Sequence, residues 1–490
     1  MDAPLTFWLN DTQHALRDVG PTRTVLEWLR EEQRVSGTKE GCAEGDCGAC
    51  TVVVAELVND QLRYRAINSC ITFLPALDGR QLITVEHLAP ASAPLHPVQQ
   101  ALVDHHGSQC GFCTPGFVMS LFALYQDKRQ ADQRAVTRDE AACALAGNLC
   151  RCTGYRPIVD AACTMTRDAW VAPDEALIAQ RLRAMARGAS LSQRSAVGAF
   201  DLPQSLAELL HLRAAHPQAR LVGGSTDVGL WVTKQHRALE HLIFTGRVAE
   251  LQSVVTTTDA IEIGAAVTLT DAVAALDRAF PAAQDYWRRF ASPPVRNSGT
   301  LGGNVANGSP IGDAMPVLIA LGAEVVLASV RGERVLALES FYLGYQQTAL
   351  APDEVLRAIR VPRRDGVQLA AYKLSKRADQ DISALALAIA LLLDGERVVK
   401  VRVGVGGMAA VPKRAAATEA ALRGRRFDEA ALAAAQAALA SEFAPIDDLR
   451  ASAAYRRVAG QNLLRRAWLR LSPLAPRSRA VPLTLAEVAP

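Results

Sequence analysis

Eight cysteines carry the chemistry most easily read from this chain. Cys42, Cys47 and Cys50 follow C-x4-C-x2-C, and Cys70 follows after nineteen intervening residues. Three thiolates in one loop with a fourth at a distance is the plant-type [2Fe–2S] spacing. Zinc also suits four thiolates, but zinc knuckles pair two short C-x2-C hooks. Gly41, Gly45 and Gly48 let this loop wrap closely and aim amide N–H groups at sulfur. A second set is made of two hooks, Cys110-x2-Cys113 and Cys150-x-Cys152. Facing each other, they place four sulfurs around one site. Alone that set is open to zinc; beside the first it reads as a second [2Fe–2S] centre, and two adjacent centres make an electron wire. Cys143 and Cys163 sit among apolar residues of helical segments and read as small buried hydrophobes.

The rest of the composition agrees with metal ligation. All ten cysteines lie between Cys42 and Cys163 in a chain of 490 residues. A disulfide-stapled secreted protein is short and does not confine its cysteines to one end of a long chain. Residues 1–11 have neither the basic cap nor the apolar stretch of a signal peptide. The apolar run Ile382–Leu393 is too short to span a bilayer and reads as a buried strand or helix. The net charge of +3 is small for this length, so no nucleic-acid or membrane partner is expected. The expected compartment is the cytoplasm.

Several elements must position these residues. Residues 1–88 read as a small α+β domain with strands at Leu5–Leu9 and Thr51–Val54. Thr24 and Glu27 form a capping box that opens a short helix through Leu29. Residues 89–168 read as helical, with helices over Pro97–His105, Pro115–Tyr125, Thr137–Ala146 and Pro157–Met165, each opened by a proline or a cap. Residues 169–198 show no clear period and read as a linker. An α/β pattern follows over 199–365, with strands at Ala219–Val222 and Ile261–Ile263. Residues 366–472 open with a strand at Leu369–Leu374 and continue into helices over Asp428–Phe443 and Ala451–Leu471. Residues 473–490 read as a proline-bearing tail.

Two glycine-rich loops stand out in the α/β part. Leu221-Val222-Gly223-Gly224-Ser225-Thr226-Asp227-Val228 follows a strand, where small residues and hydroxyls let backbone N–H groups approach a pyrophosphate. Thr300-Leu301-Gly302-Gly303-Asn304, with Ser309–Asp313 after it, lies about 80 residues on. Such a pair can clamp one dinucleotide from two sides. Gly404-Val405-Gly406-Gly407-Met408-Ala409 formally fits G-x-G-x-x-A, but Pro412 follows and no apolar helix opens, as a dinucleotide fingerprint requires. It reads as a tight turn between strands.

The run Gly41–Thr51, the CGFCTPG run and the NLCRCTGYRPI run closely resemble the iron–sulfur region of the molybdenum hydroxylases. The later part resembles their FAD domain, and the order of domains looks like the xanthine dehydrogenase side of the family. The resemblance implies a multidomain α+β chain: a β-grasp [2Fe–2S] ferredoxin domain, a four-helix-bundle [2Fe–2S] domain, a two-subdomain α/β FAD domain and a C-terminal α+β domain completing the flavin site. It implies FAD contacts by Leu221–Val228 and Thr300–Asn304. Residue by residue it adds Phe290 and Leu356 as packing partners of the cofactor, Asp313 on the ribityl or ribose side and Lys373 near the flavin end. Without the resemblance, Phe290 and Leu356 read as ordinary core. Gln109 matches a glutamine that reaches the molybdenum cofactor's pterin, and Tyr345 a tyrosine near the nicotinamide site.

The function so implied is that of an electron-transfer subunit of a xanthine dehydrogenase (EC 1.17.1.4). Electrons pass from a molybdenum cofactor on a large partner subunit, through the second cysteine set, the first set and FAD, to NAD+. The chain has no room for the large molybdenum-binding domains, so the purine site is expected on the partner, in an (αβ)2 heterotetramer, and no catalytic acid or base is expected here. The alternatives are another molybdenum hydroxylase, acting on an aldehyde or N-heterocycle, and a stand-alone ferredoxin–flavin reductase. Two departures are visible. Gln380 stands where mammalian relatives place an acid near the flavin ring. The absence of cysteine after Cys163 removes a cysteine-oxidation switch from the flavin part.

Overall fold

The structure is a computed structural model describing residues 3–89 and 93–476. The tail expected over 473–490 lies outside the described residues from 477 onward. The chain divides into two units. One takes residues up to 212 with 216–249 and 292–299; the other takes 213–215, 250–291 and residues from 300.

The first unit opens with a five-stranded sheet. Its strands are β1 (Leu5–Leu9), β2 (Thr12–Leu16), β3 (Thr51–Val58), β4 (Gln61–Asn68) and β5 (Gln81–Ile83). Their order is β2-β1-β5-β3-β4, with β1 and β5 parallel and the other pairs antiparallel. Alternate residues of a strand face opposite sides, and β3 is buried on both. Val52 and Val54 pack with Phe7, Trp28 and Phe73, whereas Val53 and Ala55 pack with Met119 and Phe122. That explains its unbroken apolar run. The capping box at Thr24 forms, and its helix continues through a wider π turn to Glu32.

Four helices, Pro97–Asp104, Thr114–Gln130, Arg138–Ala144 and Arg156–Thr164, share a core of Val98, Phe117, Leu121, Tyr125, Ala141 and Ile158. Thr137 opens its helix as expected, in a capping box with Glu140, and His96 and Gln99 make another. The linker expected over 169–198 is instead structured. Asp174 caps a helix over Glu175–Ala184. Ile178, Leu182 and Met185 on that stretch bury against the Val53 face of the sheet, each contributing about 1.5–3 kcal/mol of apolar burial. Their spacing is helical, diluted by intervening arginines. β6 (Leu191–Ser195) then pairs with β7 (Gly198–Leu202). With β8 (Arg220–Val222) and β9 (His241–Phe244) they form a sheet ordered β6-β7-β9-β8.

In the second unit, β10 (Val254–Thr256), β11 (Ala260–Gly264), β12 (Glu324–Ser329), β13 (Gly332–Ala337) and β16 (Val355–Pro362) form an antiparallel sheet ordered β10-β11-β16-β12-β13. β14 (Tyr342–Gly344) and β15 (Gln347–Thr348) make a small hairpin. A second antiparallel sheet orders β17 (Gln368–Leu374), β18 (Leu385–Asp394), β19 (Arg397–Gly406) and β20 (Lys413–Arg414) in sequence. The apolar run Ile382–Leu393 supplies β18, a strand buried on both faces. Ala386, Ala388 and Ala390 meet the helix Ala314–Leu321 in one core. Leu385, Leu387, Ile389 and Leu391 meet the helices Glu429–Glu442 and Ala453–Leu471 in the other. Gly404 and Gly406 lie inside β19 rather than in a turn, and the chain turns back into β20 only after them. A Cβ on Gly404 would sit 2.1 Å from the Pro316 carbonyl oxygen, so close strand–helix packing explains this glycine.

Candidate redox-cofactor sites

The first cysteine loop is held between the end of β4 and the start of β3. Cys50 and Cys70 are buried with their sulfurs 3.2 Å apart. The Ser69 hydroxyl donates to the Cys50 carbonyl at 2.7 Å, fixing this pair from behind. Cys42 and Cys47 are half-buried. The thiols of Cys47 and Cys70 hydrogen-bond to the Cys42 sulfur and favour its thiolate; the same contact holds Cys70 as a thiol. The amides of Cys47 and Glu44 point at the Cys42 sulfur from 3.3 and 3.5 Å. Four cysteine sulfurs with amide donors around them fit a two-iron cluster.

The second set comes from two interhelical hooks. Cys113 is the residue preceding the helix Thr114–Gln130, and Cys150 and Cys152 precede the helix Arg156–Thr164. Hydrogen bonds pair Cys110 with Cys152 and Cys113 with Cys150, so sulfurs from both hooks meet. Burial, followed by the contact with Cys150, pushes the Cys113 thiol up to about 12. Burial also raises Cys150, but the Thr153 hydroxyl, 3.2 Å away, and amides of Thr153 and Cys152 outweigh it and favour the thiolate. The Cys150 amide donates to the Tyr155 hydroxyl at 3.0 Å. These residues also fit a [2Fe–2S] cluster. Cys110 and Cys152 are exposed, as is Gln109. Cys143 and Cys163 lie outside both sets and are half-buried rather than buried.

The first glycine loop follows β8 and leads into the helix Val228–Thr233. A Cβ on Gly224 would sit 1.6 Å from the Ser298 carbonyl oxygen, a distance no side chain tolerates. The Ser225 hydroxyl donates to the Ile71 carbonyl at 2.8 Å, one residue past Cys70. Farther along, the Thr233 hydroxyl donates to the Ala43 carbonyl at 2.7 Å, one residue past Cys42. The loop is therefore built directly on the first cysteine loop, a connection that no sequence spacing announces.

The second glycine loop belongs to the other unit. Thr300 caps the helix Leu301–Asn307, its hydroxyl accepting from the Gly303 amide at 3.0 Å. A Cβ on Gly302 would sit 2.4 Å from that of Ala265. Asn304 has a buried side-chain oxygen without a hydrogen-bond partner. A buried, unsatisfied amide oxygen costs stability unless something donates to it, and FAD has hydroxyl and amide donors, so the residue fits the cofactor. Phe290 and Leu356 are both buried in the core of this unit.

Asp313 and Lys373 are engaged with each other. Lys373 Nζ donates to Asp313 Oδ2 at 2.6 Å and to the Arg289 carbonyl at 2.9 Å; the Ser383 hydroxyl donates to Asp313 Oδ1 at 2.5 Å. The Arg289 guanidinium donates to the Lys373 and Ala378 carbonyls and to the Ser375 hydroxyl. Tyr286 donates its hydroxyl to the Asp313 carbonyl at 2.6 Å. This network ties the loop 375–383, which contains Gln380, to the helix Gln284–Arg288. Tyr286, Arg289 and Ser383 are absent from the sequence-derived set; only the neighbourhood of Arg289 to Phe290 hints at them. Tyr345 is 61% exposed at the β14–β15 hairpin.

Four family models match in order along the chain. They are the "2Fe-2S iron-sulfur cluster binding domain" over residues 9–75, the "[2Fe-2S] binding domain" over 84–163, the "FAD binding domain in molybdopterin dehydrogenase" over 197–364 and the "CO dehydrogenase flavoprotein C-terminal domain" over 370–471. The chain is 34% identical to the xanthine dehydrogenase of Emericella nidulans, across 90% of its own length and 36% of that protein's. It is likewise 34% identical to that of Drosophila subobscura, across 96% of its length and 39% of the relative's. It thus spans under two-fifths of these relatives. Among solved structures, a chain of the carbon monoxide dehydrogenase of Hydrogenophaga pseudoflava superposes with a TM-score of 0.52 at 30% identity, over 55% of this chain and 94% of that one. A chain of quinoline 2-oxidoreductase from Pseudomonas putida 86 gives 0.51 at 26% identity with the same coverage. The chain belongs to the molybdenum hydroxylase family, as the part that contains the two [2Fe–2S] domains and the FAD domain.

Proposed function

We propose that this chain is the electron-transfer part of an NAD+-dependent xanthine dehydrogenase. It takes electrons released when hypoxanthine and xanthine are oxidised to urate at a molybdenum cofactor on a large partner subunit, and delivers them to NAD+. The observation that carries this reading is the 34% identity to xanthine dehydrogenases along 90–96% of the chain. The proposed assembly is an (αβ)2 heterotetramer in the cytoplasm. No helix among the described residues is long and apolar enough to cross a membrane.

When bound, [2Fe–2S] clusters supply one-electron steps and FAD links them to two-electron hydride chemistry. The chain's own residues hold and tune these groups. Cys42, Cys47, Cys50 and Cys70 are the proposed ligands of one cluster, and Cys110, Cys113, Cys150 and Cys152 of the other. Amides of Glu44, Cys47, Cys152 and Thr153 stabilise negative charge on sulfur. Leu221–Val228, Thr300–Asn304, Phe290, Asp313, Leu356 and Lys373 are the proposed FAD residues. Asp313 and Lys373 serve by bracing the loop 375–383 through their ion pair. Exposed Gln109 faces the proposed molybdenum partner, and exposed Tyr345 the nicotinamide.

A second reading, another molybdenum hydroxylase, draws on the likeness to the carbon monoxide and quinoline enzymes, though it covers only 55% of this chain. The chain purified with its partner decides between them. Urate formation from xanthine with equimolar NADH is expected. Turnover of carbon monoxide, a quinoline or an aldehyde with none of xanthine would overturn the xanthine reading, and a stable lone chain with NADH diaphorase activity would overturn both.

A further inference from the structure

A backbone hydrogen bond joins the two cysteine loops directly. The Leu149 amide donates to the Cys47 carbonyl at 2.9 Å. Cys47 belongs to the first set, and Leu149 directly precedes Cys150 of the second. One hydrogen bond and one peptide therefore join a ligand residue of each set. At the two glycines beside that bond no side chain larger than hydrogen fits. A Cβ on Gly48 would sit 2.1 Å from the Gly147 carbonyl oxygen, and one on Gly116 2.1 Å from the Gly48 carbonyl oxygen.

Asn148 holds this contact. It is 4% exposed. Its Nδ2 donates to the Gly48 carbonyl at 3.2 Å and to the Thr51 hydroxyl at 3.3 Å, next to Cys47 and Cys50. Its Oδ1 accepts from the Ser120 hydroxyl at 2.6 Å. Ser120 lies on the helix Thr114–Gln130, which Cys113 precedes. One amide is thus bonded to the first cysteine loop and to the helix beside the second hook, while its own backbone leads into Cys150. The orientation of the amide follows from these partners, since only this one gives each atom a complementary group.

We infer that Asn148 is a positioning residue for electron transfer between the two clusters: it keeps the Leu149 amide on the Cys47 carbonyl, a direct bonded link between the two ligand sets. The step moves one electron, oxidising one diiron centre and reducing the other, with no proton or atom transferred. Electronic coupling through a hydrogen bond and covalent bonds exceeds that through an equal gap of empty space, so loosening this link slows the step. The inference rests on the two-cluster reading above.

The test uses the full chain as Asn148→Ala, a neutral change that removes both donors and the acceptor. Iron per chain and the g-values of each cluster are measured first. Three readouts follow: the spin–spin splitting between the reduced clusters in EPR, the rate of electron equilibration between them after flash reduction, and hydrogen exchange of the peptide containing Leu149. Altered splitting, at least tenfold slower equilibration and faster exchange are expected, with iron retained. Unchanged splitting and rate with both clusters present would overturn the inference. Where Asn148→Ala fails to fold, Ser120→Ala, which removes only the brace on Oδ1, takes its place. A several-fold slower equilibration supports the inference and a wild-type rate overturns it. A wild-type chain showing one cluster signal would overturn the two-cluster reading beneath it.

Discussion

Lys373 and Asp313 form an ion pair sealed from solvent, Nζ 2.6 Å from Oδ2, with side chains 1% and 7% exposed. Removing one partner of such a pair leaves a buried, uncompensated charge, at a cost of about 3–5 kcal/mol. Lys373→Met is therefore expected to lower the stability of the second unit by about that amount. Lys373→Met with Asp313→Asn should recover much of the loss. Urea unfolding followed by near-UV circular dichroism measures both. Unchanged stability with lost FAD would assign Lys373 to the cofactor rather than to the brace.

Gly224 has no room for a methyl group, so Gly224→Ala should displace the first glycine loop. FAD per chain, read from the flavin absorbance of released cofactor, should fall several-fold, while iron remains at about four per chain, two per cluster. Full flavin occupancy in this variant would remove Leu221–Val228 from the FAD site.

Cys150→Ser should abolish one EPR signal and leave the other, with iron falling from about four to about two per chain. The two sulfur sets come from different loops on different elements, which is why one should survive the other. Loss of both signals would mean that the second cluster is needed to hold the first.

His96 gives a pH dependence of defined sign. It is 5% exposed, its Nδ1 accepts from the Val98 amide, and its ring packs edge-on against Phe122 and Tyr125. Burial lowers its pKa from 6.5 to about 4. The folded state thus favours the neutral ring, and the unfolded state takes up the proton first as pH falls. This contribution to stability is complete above pH 6.5 and is lost on going down to about pH 4, amounting to about 3 kcal/mol. His96→Asn, which keeps a capping acceptor, should flatten the unfolding free energy over this window. A dependence as steep as in the wild type would place its origin elsewhere.

How far these features could be read from sequence depends on their range. The capping boxes at Thr24/Glu27 and Thr137/Glu140 are four-residue patterns, and both helices open where expected. The cysteine sets declare themselves by spacing. The helix Glu175–Ala184 was hidden because its apolar stripe, Ile178 and Leu182, is interrupted by Arg181 and Arg183. Those arginines pair with Asp11 and Asp60, far away in sequence. β18 left strand and helix undecided because burial on both faces erases the two-residue alternation. Asp313, Lys373 and Ser383 are 60 and 70 residues apart, and no local pattern marks such a meeting. Asn148 lies inside a run that the family resemblance singles out, yet its role depends on Gly48 and Ser120, which only the fold brings to it.

The bonds from Ser225 to Ile71 and from Thr233 to Ala43 bear on the order in which the molecule is made. The ferredoxin-type domain leaves the ribosome before the glycine loop. The glycine loop that follows β8 takes its shape against carbonyls beside Cys42 and Cys70, so a finished domain is its mould. Biogenesis is therefore expected to have a direction, with cluster insertion preceding flavin capture. A chain starved of iron during synthesis should emerge without flavin, whereas one starved of riboflavin should still emerge with its iron.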